Sequence, residues 1–171
     1  MSDKIGYQIN PIKTRTPTVM VSGGFDPVHI GHIRLIREAA QYGDVIVVAN
    51  SDEWLYRKKG FNFMGFRHRV EILESIKGVI RVESVNDSDG SVCEAIRRIK
   101  PTYFANGGDR NTKNTPEKEL CEELGIEMLW AIGGDDKVAA SDALVERVRA
   151  VVDAREPRTP PVRYISRHSE R

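Results

Sequence analysis

Charge of one sign, paired cysteines and long apolar runs are all missing from this 171-residue chain. Its 26 basic residues nearly cancel its 25 acidic ones, so bulk charge gives no footprint for nucleic acid. Only two cysteines are present, Cys93 and Cys121, far apart and without a paired spacing. That excludes a disulfide framework and is expected of buried thiols in a cytoplasmic protein. No apolar run approaches the ~20 residues that span a bilayer, and no membrane association is expected. The opening "MSDKIGYQINPIKTRTPTV" lacks the apolar core of a secretion signal. There is no internal repeat, no third glycine that would complete a dinucleotide fingerprint, and no Gly-Lys-Ser/Thr of a P-loop.

What is there is an alternation. Apolar, largely β-branched runs such as "TVMVSG" (18–23) and "DVIVVANS" (44–51) read as buried strands, followed by "VIRVESV" (79–85), "TYFANGG" (102–108) and "IEMLWAIGG" (126–134). Between them lie helical periods: "HIRLIREAAQY" (32–42), "GFRHRVEILESI" (65–76), "SVCEAIRRI" (91–99) and "TPEKELCEELG" (115–125). "SDALVERVRAVVDA" (141–154) closes the series, with Ser141 as a cap. Apolar strands alternating with amphipathic helices predict an α/β, Rossmann-like fold: a five-stranded parallel sheet with helices on both faces. The expected organisation is an N-terminal arm (1–16), one domain (17–154) and a basic, Pro/Arg-rich tail (155–171).

The chemistry concentrates in "SGGFDPVHIGH" (22–32), where two of the four histidines stand three residues apart after the first strand. Ligands of open parallel sheets bind beyond the carboxyl ends of the strands. Gly23 and Gly24 allow a tight turn and close approach to a ligand. Asp26-Pro27 is a helix-start signal, placing the start of the first helix between Asp26 and Gly31. Free amides and the positive dipole end at that start suit phosphate. His29 and His32 share one face, and Gly31 leaves room for an anion.

This stretch resembles the HxGH signature of the nucleotidyltransferase superfamily that includes glycerol-3-phosphate cytidylyltransferase and the sugar-phosphate adenylyltransferases. Gly24, Phe25, Asp26, His29, Gly31 and His32 match its G-x-F-D-x-x-H-x-G-H pattern. "VVANSDEW" is similar to the family's second strand end, "FRHRVEILESI" to its basic helix, and "ANGGDR" to its GGD turn. The resemblance covers roughly residues 17–150.

It implies that a phosphate oxygen of a small phosphorylated or phosphonylated acceptor attacks the α-phosphate of a nucleoside triphosphate, releasing pyrophosphate. CTP is the expected donor and ATP the alternative. His29 and His32 would contact the phosphates, with Lys58 or Lys59 swinging over them from a loop. Mg²⁺ would bind mainly through the phosphates, with no metal site of the protein's own. The resemblance assigns nucleotide binding to Gly23, Gly24, Phe25, Asp26, Gly31, Gly107, Gly108, Asp109, Lys137 and Ser141, and acceptor binding to Asp52 and Arg69. The chain departs from the family before the last helix. There Lys137 takes the place of an arginine, and Ala139 and Ala140 stand where hydroxyls are common.

Three rivals accompany this reading. A zinc site on His29, His32 and Asp26 or His68 lacks the third or fourth ligand at a recognised spacing. A catalytically inactive nucleotide-binding module would fit the alanines at 139 and 140. A nucleic-acid partner would use the tail arginines, without any visible stacking platform. A homodimer is also expected, from the aromatics Trp54, Phe61, Phe63 and Phe66.

Overall fold

A computed structural model describes residues 16–107, 115–134 and 141–155. Five strands alternate with six helices: β1 (Thr18–Gly23), α1 (Ile30–Ala39), β2 (Asp44–Ala49), α2 (Asp52–Lys59), α3 (Phe66–Glu74), β3 (Val79–Ser84), α4 (Cys93–Ile99), β4 (Tyr103–Gly107), α5 (Pro116–Leu124), β5 (Glu127–Ile132) and α6 (Ser141–Arg155). All neighbouring strands are parallel, in the order β3-β2-β1-β4-β5. The expected Rossmann-like α/β architecture is therefore what the chain forms.

The sheet is covered on both sides. Val19, Val21, Val45, Val47 and Ala105 face one core with Leu35, Ile36 and Ala39 of α1 and Leu73 of α3. Met20, Val48 and Phe104, one residue out of phase, face the other with Ala95 and Ile96 of α4 and Leu120 of α5. Both cysteines sit in this second core as free thiols. The middle strands are more buried than the edge strands β3 and β5, and β3 exposes Ile80 and Arg81. The order reverses between β1 and β4, and this switch point opens a crevice at the strands' carboxyl ends.

One element differs from the sequence reading. Lys58 and Lys59, expected in a loop, form the last turn of α2, and Trp54 lies in its first turn. Ser51 caps the helix by accepting from the Trp54 amide at 3.0 Å. Asp52 and Glu53 complement the positive end, and Gly60 closes the helix in a left-handed conformation (φ 82°). The short apolar stripe hid it, because only Leu55 is buried. No described helix is long and apolar enough to cross a membrane. The proposed arm lies outside the described residues apart from Thr16, as does the tail apart from Arg155.

Candidate active site

The loop from β1 to α1 lies at the switch point, and its histidines build the helix start themselves. His29 is the N-cap of α1: its Nδ1 accepts from the Gly31 amide at 3.1 Å. The His29 amide in turn donates to His32 Nδ1 at 3.2 Å. This is a capping box made of two imidazoles, where Ser/Thr and Glu/Gln are the usual pair. Asp26-Pro27 is not the cap; that peptide bond is cis and precedes the helix by two residues. The amides expected to stand free for phosphate are thus partly taken: Gly31 by the imidazole, and His32 by the His29 carbonyl at 3.0 Å.

That arrangement fixes the chemistry of the rings. An Nδ1 that accepts an N–H carries no proton, so each neutral ring holds its proton on Nε2. The rings stack at 3.8 Å between centroids, 23° apart, and Phe25 meets His32 edge-on at 4.9 Å. Burial, and then the His29 charge beside it, push the His32 pKa down to about 3. Burial also lowers that of His29. Near neutral pH both are therefore uncharged, each with an Nε2–H donor. Phe25 itself is buried and adopts φ 48°, a costly conformation for a side chain with a Cβ. At Gly24 a Cβ would lie 2.9 Å from Leu55 Cδ2, so the glycine lets the Leu55 side chain of α2 pack close against the loop.

Behind the histidines stands a network of ions. Asp26, whose side chain is fully buried, accepts from Lys59 Nζ at 2.6 Å and from the amides of Phe63 and Met64 at 2.7 and 2.6 Å. Arg69 is also fully buried and donates to the carbonyls of Gly24 (2.7 Å), Asn50 (2.9 Å) and Met64 (3.2 Å) and to Asp52 Oδ1 (2.7 Å). Asp52 also accepts from the Phe66 amide at 3.1 Å. Its burial raises its pKa, but the Arg69 and Phe66 hydrogen bonds outweigh this and hold it below the usual carboxylate value. A second buried carboxylate, Asp87, accepts from the Ser51 amide and hydroxyl (both 2.8 Å) and from Asn50 Nδ2 (3.1 Å). These ions tie the segment between α2 and α3 to the ends of β1 and β2.

The residues singled out from sequence therefore separate. His29, His32, Phe25, Gly24 and Asp26 come together at the start of α1. Lys59, expected to swing over a triphosphate, is instead held on Asp26. Arg69, expected to grip an acceptor phosphate, is sealed from solvent with four of its five N–H donors engaged. Asp52 is its counter-ion. Lys58 remains exposed, its ammonium 4.6 Å from the Trp54 ring centre. Gly107 ends β4 beside the crevice, whereas Gly108, Asp109 and Lys137 lie outside the described residues. Ser141 begins α6. Sequence reasoning missed Asp87, which lies in a loop among ordinary turn residues, and the buried Asn50 and Asn106. Among the described residues no group of three His, Cys, Asp or Glu side chains is placed to hold a metal ion.

The sequence profile of the family described as "Cytidylyltransferase-like" matches residues 20–167. The protein belongs to the cytidylyltransferase-like family. It is 35% identical over 136 residues to the "Bifunctional protein HldE" of Desulfatibacillum aliphaticivorans, covering 77% of this chain but 27% of that protein. The chain spans less than a third of the length of such bifunctional relatives. It is 27% identical over 140 residues to the "FAD synthase" of Ferroglobus placidus, covering 80% of this chain and 91% of that protein. In fold it is similar to a lipopolysaccharide core biosynthesis protein from Thermoplasma volcanium GSS1, with TM-score 0.60, 23% identity, 71% of this chain and 100% of that one.

Proposed function

We propose that this protein transfers the nucleotidyl group of a nucleoside triphosphate to the phosphate of a small acceptor, releasing pyrophosphate. The observation that carries the reading is the imidazole pair at the start of α1, neutral and with both Nδ1 atoms engaged by the backbone. Their Nε2–H groups are preorganised donors for phosphoryl oxygens on which charge develops, the situation in which fixed donors lower a barrier most. Because the ladder of backbone bonds holds the rings, no reorganisation is needed when the charge forms.

Phe25 supports His32 from the side, and the ion network fixes the loop beneath. Lys58, exposed in the last turn of α2 and not engaged by a carboxylate among the described residues, would be the lysine that meets an incoming triphosphate. Asp26, Asp52 and Asp87 are all engaged by protein donors. The chain thus offers no carboxylate cluster for Mg²⁺ among the described residues, and the ion's ligands would be phosphate oxygens. Mg²⁺ would supply charge neutralisation on the triphosphate. The arm, domain and basic tail boundaries, and a place in the cytoplasm with the nucleotide pool, are part of the same proposal.

Adenylyl transfer is the better-supported donor choice, because a relative aligned over nearly its whole length is named an FAD synthase, whose product contains an adenylyl group. Cytidylyl transfer is the second reading, favoured by the family's own description. Pyrophosphate release from ATP and CTP, screened over sugar, polyol and flavin phosphates, tests both. Turnover with ATP only, with CTP only or with neither decides between adenylyl transfer, cytidylyl transfer and a binding module without chemistry.

A further inference from the structure

The polar side chains at the carboxyl edge of the sheet are nearly all engaged by the chain itself. Asn50 is bonded to Asp87, Asp26 to Lys59, and Asp52 to Arg69. Among the described residues Asn106 is the one buried side chain with an unpartnered polar atom. It is 5% exposed, sits one residue before the end of β4, and its Nδ2 has no hydrogen-bond partner among the described residues. A buried donor without a partner costs roughly the desolvation of that group, and native structures hold few of them.

Its surroundings are specific. Val21 pairs with Ala105, so Asn106 follows the register one step to lie beside Ser22 of β1, at the point where the strand order reverses. Alternation along the strands puts both side chains on the face of Met20 and Phe104, opposite that of α1. Ser22 is half-buried, and no described residue bonds its hydroxyl. On the other side β5 is bulged. Ala105 pairs with Leu129 but Gly107 with Ile132, so Trp130 and Ala131 together oppose Asn106. Ala131 there adopts φ 57°. Bulges of this kind interrupt pairing and recur beside active sites. The row of Val48, Ser22 and Asn106, with Met20 and Phe104 behind it, carries no charge. It is therefore unsuited to a phosphate and suited to an uncharged group with acceptor atoms.

We propose that Asn106, with Ser22 beside it, is a specificity-determining residue that donates from Nδ2 to an uncharged acceptor atom on the nucleoside part of the bound triphosphate, either base or ribose. This rests on the nucleotidyltransferase reading and adds a side chain that reads the nucleoside, separate from the histidines that meet its phosphates.

The test is calorimetric binding of ATP, CTP and inorganic tripolyphosphate to wild type, Asn106→Leu and Ser22→Ala, alongside the melting temperature of each free protein. Asn106→Leu is expected to weaken the preferred nucleotide about tenfold, the size of one good hydrogen bond. It should leave tripolyphosphate unchanged and the free protein as stable as wild type or more so, since an unpartnered amide has gone. Ser22→Ala should move nucleotide affinity in the same direction by less. A wild type that binds the 2′-deoxynucleotide as weakly as the variant binds the ribonucleotide assigns the acceptor atom to the ribose 2′-hydroxyl; undiminished deoxynucleotide binding assigns it to the base or to another ribose oxygen. Unchanged nucleotide affinity in Asn106→Leu overturns this inference alone. So does a fall in melting temperature with tripolyphosphate and nucleotide weakened equally, which marks a structural residue. A wild type that binds no triphosphate overturns the transferase reading as well.

Discussion

Two polar regions meet at the carboxyl edge of the sheet and differ in how their donors are used. Around Asp26 and Arg69, both buried, and their partners Lys59 and Asp52, almost every donor has a protein acceptor. At the start of α1, His29 and His32 are uncharged, half-buried, and use one ring nitrogen each on the backbone. A saturated buried ion is architecture, because any ligand would have to replace a bond already made. A fixed ring with a donor left over is equipped for chemistry. The difference separates residues that a family motif lists side by side.

The sharpest way to break the comparison is Arg69→Ala. Removing the buried guanidinium leaves three carbonyls without their donor, while Asp52, 34% exposed, can turn to water, so a loss of about 3 kcal/mol in urea-unfolding stability is expected, the low end for a broken buried pair. A fall under about 1 kcal/mol, with raised KM for the acceptor, would show that Arg69 serves a substrate instead.

Next comes the histidine pair, in a form that spares the fold. His29→Asn keeps an N-cap acceptor and His32→Gln keeps the reach back to residue 29, so the capping box survives without imidazoles. Stability should hold within about 1 kcal/mol while kcat falls ~10²–10³-fold, the usual effect of losing a preorganised donor. Activity retained in the double variant would remove the histidines from the mechanism.

The two neighbouring lysines provide an internal control of slightly smaller size. Lys59→Met leaves Asp26 without its cation and should cost about 1.5–3 kcal/mol of stability, as for a hydrogen bond to a charged group. Lys58→Met should leave unfolding unchanged and raise KM for the nucleotide. The reverse pattern would mean that Lys59 leaves Asp26 to serve the triphosphate.

The gentlest probe is pH. The folded pKa of His32 lies near 3, below its ordinary 6.5, so between these values the unfolded chain binds the extra proton. Stability from this group is therefore complete above about pH 6.5 and declines as pH falls, by up to ~1.4 kcal/mol per pH unit. His32→Gln should flatten that slope; an unchanged slope would assign it to other groups.

Much of this was legible in the residues. The strand runs, the helix periods and the Gly-Gly-Phe-Asp-Pro-Val-His-Ile-Gly-His stretch located the sheet and the histidine pair at the start of α1, because burial on both faces and a helix start after β1 leave local patterns. α2 escaped because its apolar stripe is a single leucine, although Ser51, Asp52 and Glu53 form a readable helix start. The loop histidines were readable as a pair, but not as each other's caps, since a capping role for imidazole has no common sequence signal.

The sequence by itself determined the fold class and the place of the histidines, since both follow from periodicities and turn residues within a few positions of one another. Tertiary structure decided which charges are free. Arg69 is separated from Gly24 by 45 residues, Lys59 from Asp26 by 33 and Asn50 from Asp87 by 37. Whether a polar group is engaged or available depends on what the parallel sheet brings beside it, and that depends on contacts between residues distant in sequence.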